Sequence, residues 1–93
     1  MNGAEKVIKE IDGLNGEKLV LLDWEGQPPR FCNLRKVNGD GLVLWTATPY
    51  RLGGGVWTGM SFVNGRLEAY NWDGFRDVLD YDTGRILDRK FVK

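Results

Sequence analysis

Leu19-Val20-Leu21-Leu22-Asp23-Trp24-Glu25-Gly26 and Leu67-Glu68-Ala69-Tyr70-Asn71-Trp72-Asp73-Gly74 are one pattern written twice at a constant offset. Each copy follows an Asn-Gly pair, Asn15-Gly16 or Asn64-Gly65. Each is followed by an apolar stretch, a Gly turn and an aliphatic pair: Gly41 then Val43-Leu44, and Gly84 then Ile86-Leu87. A repeat of about forty to fifty residues built from strand-like pieces implies β units that bury their faces against one another. The duplication speaks to architecture, and no motif in it specifies an activity.

Turn chemistry punctuates both copies. Asn15-Gly16 and Asn64-Gly65 are strong short-range hairpin signals, because both central residues of a type I′ turn need positive φ. Asn38-Gly39-Asp40-Gly41 and Asp82-Thr83-Gly84 read as slightly longer turns. Between the turns the chain reads as strands. Residues 56–63 alternate with period two, Val56, Thr58, Met60 and Phe62 on one side and Trp57, Gly59, Ser61 and Val63 on the other. Residues 18–23 are almost continuously apolar, as in a strand covered on both faces. Segments 66–71, 30–36, 75–80, 42–48 and 85–92 complete the set. The last of these carries Arg85, Asp88, Arg89 and Lys90, the marks of a charged edge strand. Segment 6–12 fits two readings. Duplication makes it a strand, whereas Ala4, Val7, Ile8, Ile11 and Leu14 fall at helical spacing, with Asn2 placed to cap a short helix. The expected fold is all-β: two pseudo-repeated four-stranded antiparallel meanders, about residues 1–48 and 55–93. A Gly-rich loop, residues 49–55, joins them in a single domain.

Length and composition bound the rest. Ninety-three residues make one domain with a modest core. The lone Cys32 forms no intrachain bridge and suits a reducing compartment. The first ten residues lack the apolar core of a secretion signal, and no stretch approaches the ~20 apolar residues that span a bilayer. A cytoplasmic location and no membrane partner are therefore expected. Thirteen basic residues balance thirteen acidic ones and are interspersed with them, which argues against a nucleic-acid partner. A net charge near zero also weakens repulsion between copies.

Each half has the form of one β-propeller blade. Residues 33–45, Asn-Leu-Arg-Lys-Val-Asn-Gly-Asp-Gly-Leu-Val-Leu-Trp, and residues 78–87, Val-Leu-Asp-Tyr-Asp-Thr-Gly-Arg-Ile-Leu, are similar to blade motifs of quinoprotein-like propellers. The second half also resembles small bacterial proteins of uncharacterised function. The resemblance covers the chain from about Leu19 onward and consists of turn and packing residues. It implies a fold and is silent on activity, and no quinone-binding residue carries over. Two blades do not close a ring, so the resemblance implies that the halves cover one another or that copies assemble, as in some two-blade lectins.

The sequence contains no His. That removes the commonest general base and metal ligand, along with any Ser-His or Cys-His pair. Cys32 between Phe31 and Leu34 reads as a small core residue. Glu25 and Asp73 occupy equivalent places beside Trp24 and Trp72, where they read as turn residues more readily than as a glycosidase pair. Asp80, Asp82 and Gly84 mimic part of a calcium loop but lack its closing Glu, and Gly53-Gly54-Gly55 lacks the Lys of a phosphate loop. No enzyme, metal or cofactor is expected. Trp45 and Trp57 lie within alternating strands and read as core, while Trp24 and Trp72 lie at strand ends, where a core ring and a partly exposed stacking platform fit equally. The expectation is a binding or interaction module that self-associates through aromatic-rich β surfaces. The alternative is a protein that binds a sugar or small ligand in two similar pockets, Trp24, Glu25 and Arg30 in one and Trp72, Asp73 and Arg76 in the other. Tyr50 and Arg51 on the connecting loop are further contact candidates.

Overall fold

A computed structural model describes residues 6–27, 31–48 and 55–92. Eight strands follow in order: β1 (Val7–Asp12), β2 (Lys18–Leu22), β3 (Leu34–Val37), β4 (Val43–Thr46), β5 (Trp57–Val63), β6 (Arg66–Asn71), β7 (Phe75–Leu79) and β8 (Ile86–Phe91). They form two four-stranded antiparallel meanders, β1-β2-β3-β4 and β5-β6-β7-β8. The described residues contain no helix. The two readings of the N-terminal segment resolve to strand: pairing β1 with β2 satisfies its backbone groups along the sheet.

The predicted hairpins have the backbone they require. Asn15 and Asn64 sit at φ 53° and 54°, followed by Gly16 at 80° and Gly65 at 77°. Asn tolerates this region and Gly enters it without steric cost, so the pair fixes each first hairpin locally.

The duplication extends to details that composition does not show. In the first sheet the β1–β2 register shifts at Ile8, between Val7 and Lys9, and in the second the β5–β6 register shifts at Thr58, between Trp57 and Gly59. The outermost pairs also shift alike, at Leu44 on β4 and at Leu87 on β8. These bulges correct the simple alternation. Strict period two puts Trp57 on the face opposite Met60 and Phe62. The extra residue at Thr58 reverses that parity, so Trp57 and Met60 both point inward and are buried. The bulge at Leu87 likewise lets Ile86 pack on the core while Arg89 turns in to Asp77.

Both sheets contribute to one apolar cluster: Leu19, Leu21, Leu34 and Ala47 from the first half, and Trp57, Met60, Leu67, Ala69 and Leu79 from the second. Val20 and Leu22 are buried as well, so β2 is covered on both faces as its unbroken apolar run implies. β8 is an edge strand, as its charges suggest, but β4 is an edge too. Leu42, Val43 and Leu44 are exposed there because no strand among the described residues lies beyond them.

Candidate functional site

The Trp-acid-Gly repeat builds two matching turns, one between β2 and β3 and one between β6 and β7. In the first, the Glu25 amide donates to Asp23 Oδ1 at 3.0 Å. In the second, the Asp73 amide donates to Asn71 Oδ1 at 2.9 Å. Gly26 (φ 77°) and Gly74 (φ 94°) then turn each chain back. Each turn therefore presents its indole from a defined backbone. The two rings meet, with centroids 6.1 Å apart and planes inclined at 59°, within the range of favourable aromatic pairs. Trp72 is 67% exposed, and Trp24 is half-buried. The two expected pockets thus share one aromatic surface, because equivalent turns of the two meanders lie side by side. Glu25 and Asp73 are exposed on these turns and make no ion pair among the described residues.

The other expected contact residues are placed differently. Arg76 sits opposite Tyr70 across the β6–β7 pair and 4.0 Å from Glu68 Oε1, while Arg66 Nε holds the other carboxylate oxygen at 2.6 Å. It belongs to a charged row along the second sheet. Arg30, Tyr50 and Arg51 lie outside the described residues. Trp45 and Trp57 are built into the fold, as expected: Trp45 Nε1 donates to the Tyr81 carbonyl at 2.8 Å, and Trp57 Nε1 donates to Asp77 Oδ2 at 2.9 Å.

Two polar centres, one buried and one half-buried, were not singled out from the sequence. At the first, Asn33 fastens the halves together. Its Nδ2 donates to the carbonyls of Leu22 (3.0 Å) and Trp57 (2.8 Å), and its Oδ1 accepts from the Trp57 amide at 2.7 Å. From Trp57 the chain of bonds runs to Asp77, whose carboxylate takes Arg89 in two bonds, Nε at 2.6 Å and Nη2 at 2.8 Å. Such forked pairing satisfies a carboxylate that burial strips of water. The guanidinium also covers the Phe75 ring at 4.5 Å. At the second centre, Tyr81 plugs one end. Its hydroxyl donates to Glu17 Oε1 (2.6 Å) and accepts from the Leu14 amide (2.7 Å), and its carbonyl accepts from Lys36 Nζ (2.9 Å) and Trp45. Lys36 Nζ lies 4.0 Å from the Tyr81 ring centroid, and Phe62 stacks on that ring at 4.7 Å. Burial foremost, and the bond to Glu17 next, push the Tyr81 phenol above its ordinary value. Burial likewise pushes the Cys32 thiol up. Asp80 Oδ1 accepts from the Asp82 amide at 2.9 Å, so its carboxylate serves its own turn.

These polar centres are structural, since each has its partners inside the fold. The apolar groups left open include Trp72 of the indole pair, Leu42 to Leu44 at the β4 edge, and Leu87 and Phe91 among the charges of β8. Among the described residues no three His, Cys, Asp or Glu side chains are grouped to hold a metal. The class this defines is an all-β protein of two like meanders closed over a shared core and fastened by buried polar bonds. The chain belongs to the family described as a domain of unknown function (DUF7957), whose model matches residues 4–91. That membership carries no link to propellers or quinoproteins, so the likeness to blades stops at the four-stranded meander. No curated protein matches the chain.

Proposed function

We propose that this protein is a non-enzymatic interaction module that associates with copies of itself through the open edge of β4. What supports this is the exposure of Leu42 (64%), just before β4, and of Val43 (49%) and Leu44 (44%) on it, a strand that among the described residues pairs with β3 on one side only. An edge strand offers free backbone donors and acceptors to another strand, and proteins that must stay apart guard such edges with charge. The other outer edge, β8, has Arg85, Asp88 and Lys90 on or beside it, whereas residues 42–48 carry no charge. Two copies meeting β4 to β4 about a two-fold axis join their β1–β4 sheets into one of eight strands and cover the apolar residues of both edges. The zero net charge does not oppose that approach. Size-exclusion chromatography with light scattering tests it. The wild type shifts from monomer towards dimer as concentration rises, and the variant carrying Leu42→Lys and Leu44→Lys stays monomeric with its core intact. A wild type that remains strictly monomeric at high concentration contradicts the proposal.

A second reading, a ligand surface, is favoured by the paired indoles of Trp24 and Trp72 and by the exposure of Trp72. Aromatic faces open to water bind flat or apolar ligand faces by stacking. It uses the β2–β3 and β6–β7 turns and leaves the β4 edge free.

A further inference from the structure

Taking the Trp24–Trp72 pair as a ligand surface, we propose that it receives an arginine side chain presented by a protein partner. Charge points to a cation. The chain as a whole is neutral, yet each indole is followed directly by an exposed carboxylate, Glu25 or Asp73, that has no cationic partner among the described residues. Lys6 meets the first turn through its backbone, its carbonyl accepting from the Asp23 amide at 2.8 Å, and its side chain pairs with neither acid. An indole face attracts a cation through its quadrupole, and an adjacent carboxylate reinforces the same sign.

The geometry selects arginine among cations. A guanidinium is planar, less strongly hydrated than an ammonium, and able to stack on an aromatic face while its edge bonds a carboxylate in a fork. Here an exposed indole and an exposed carboxylate occupy consecutive residues on a turn held by a side-chain hydrogen bond and a positive-φ glycine. The same protein shows the combination internally, where Arg89 lies over Phe75 while its edge bonds Asp77. The surface pair offers the two elements of that arrangement, aromatic face and acid, with no cation between them among the described residues. Duplication supplies them twice at one place, so a segment with two spaced arginines engages both turns.

The internal hydrogen bonds provide the assay's control. Trp45 and Trp57 spend their indole N–H groups on Tyr81 and Asp77, whereas those of Trp24 and Trp72 donate to nothing among the described residues. The test is a titration of the ¹⁵N-labelled protein, followed by the four indole cross-peaks. The probes are an acetylated, amidated Gly-Arg-Gly-Arg-Gly peptide, its lysine counterpart, and methyl glucoside. With the arginine peptide, the Trp24 and Trp72 peaks move while those of Trp45 and Trp57 hold still. The lysine peptide binds more weakly, and 0.5 M salt reduces both responses. Trp72→Ala lowers the affinity about two- to fivefold, and Glu25→Gln with Asp73→Asn lowers it about threefold or more, with the Trp45 and Trp57 peaks reporting an unchanged fold. Movement with methyl glucoside and none with the arginine peptide overturns the assignment to arginine and leaves the surface a sugar site. Silence with every probe overturns both the assignment and the ligand surface.

Discussion

Replacing Asn33 by Ala tests whether the two meanders are held together by one buried amide. The substitution removes two donated bonds, to the carbonyls of Leu22 and Trp57, and the acceptor of the Trp57 amide. Asn33 and Trp57 are both fully buried, so water does not replace what is lost. The stranded Trp57 N–H costs about 1–3 kcal/mol, and the two donated bonds are worth about 0.5–1.5 kcal/mol each. The expected destabilisation is about 2–6 kcal/mol, against a total stability of about 5–14 kcal/mol for a chain of this length. The assay is urea unfolding at low protein concentration, where self-association does not contribute. The corresponding fall in Tm is on the order of 10 °C or more. Asn38→Ala is the matched control. Its Oδ1 also accepts two amides, those of Asp40 and Leu42, but in an exposed turn where water takes over, so about 1 kcal/mol or less is expected. An Asn33→Ala protein within about 0.5 kcal/mol of wild type refutes the claim that this amide fastens the halves.

Three further outcomes follow from the same structure. Asp77→Ala takes the carboxylate from Arg89 and the acceptor from the Trp57 indole; chemical denaturation is expected to show a loss of about 3–5 kcal/mol, the cost of breaking a buried pair. Gly84→Ala places a Cβ 2.5 Å from Trp45 Cε3 at φ +78°, and the left-handed backbone alone costs about 1–2 kcal/mol in the same assay. Tyr81 holds its proton more tightly folded than unfolded. The stabilisation linked to it is therefore complete below the ordinary phenol value of about 10 and is lost as pH rises through the higher folded value. Urea midpoints measured from pH 8 to 11 should show wild type ahead of Tyr81→Phe at the lower end and that lead shrinking at the upper end.

Much of the fold was legible because its signals are local. Asn-Gly at 15–16 and 64–65 dictates a backbone that few other pairs adopt, and the recurring Trp-acid-Gly marks equivalent turns. The bulges at Ile8, Leu44, Thr58 and Leu87 were not legible, because a bulge depends on what the partner strand offers and leaves a single strand's composition unchanged. The polar centres left a faint trace. Asp77 falls on the same parity as Leu79, and Lys36 on that of Leu34, so each is a charge on a core-facing position. That is the pattern of a charge satisfied inside, and it becomes decisive only when Arg89 and Tyr81 are seen to supply the partners. For the candidate site, the repeat marked Trp24 and Trp72 as equivalent. It did not show that the two indoles touch, because that contact depends on how one meander lies against the other.

The central functional claim is that β4 is the surface through which copies meet, and amide hydrogen exchange read residue by residue at two protein concentrations tests it most directly. The Ala47 amide bonds inward to the Leu34 carbonyl at 2.8 Å, so strand alternation turns the Thr46 amide towards the open side. The account expects Thr46 to exchange rapidly in dilute protein and to gain protection as concentration rises, with β8 unchanged and with Leu42→Lys and Leu44→Lys abolishing the gain. Protection that appears on β8 instead, or a Thr46 amide equally fast at every concentration, would contradict it.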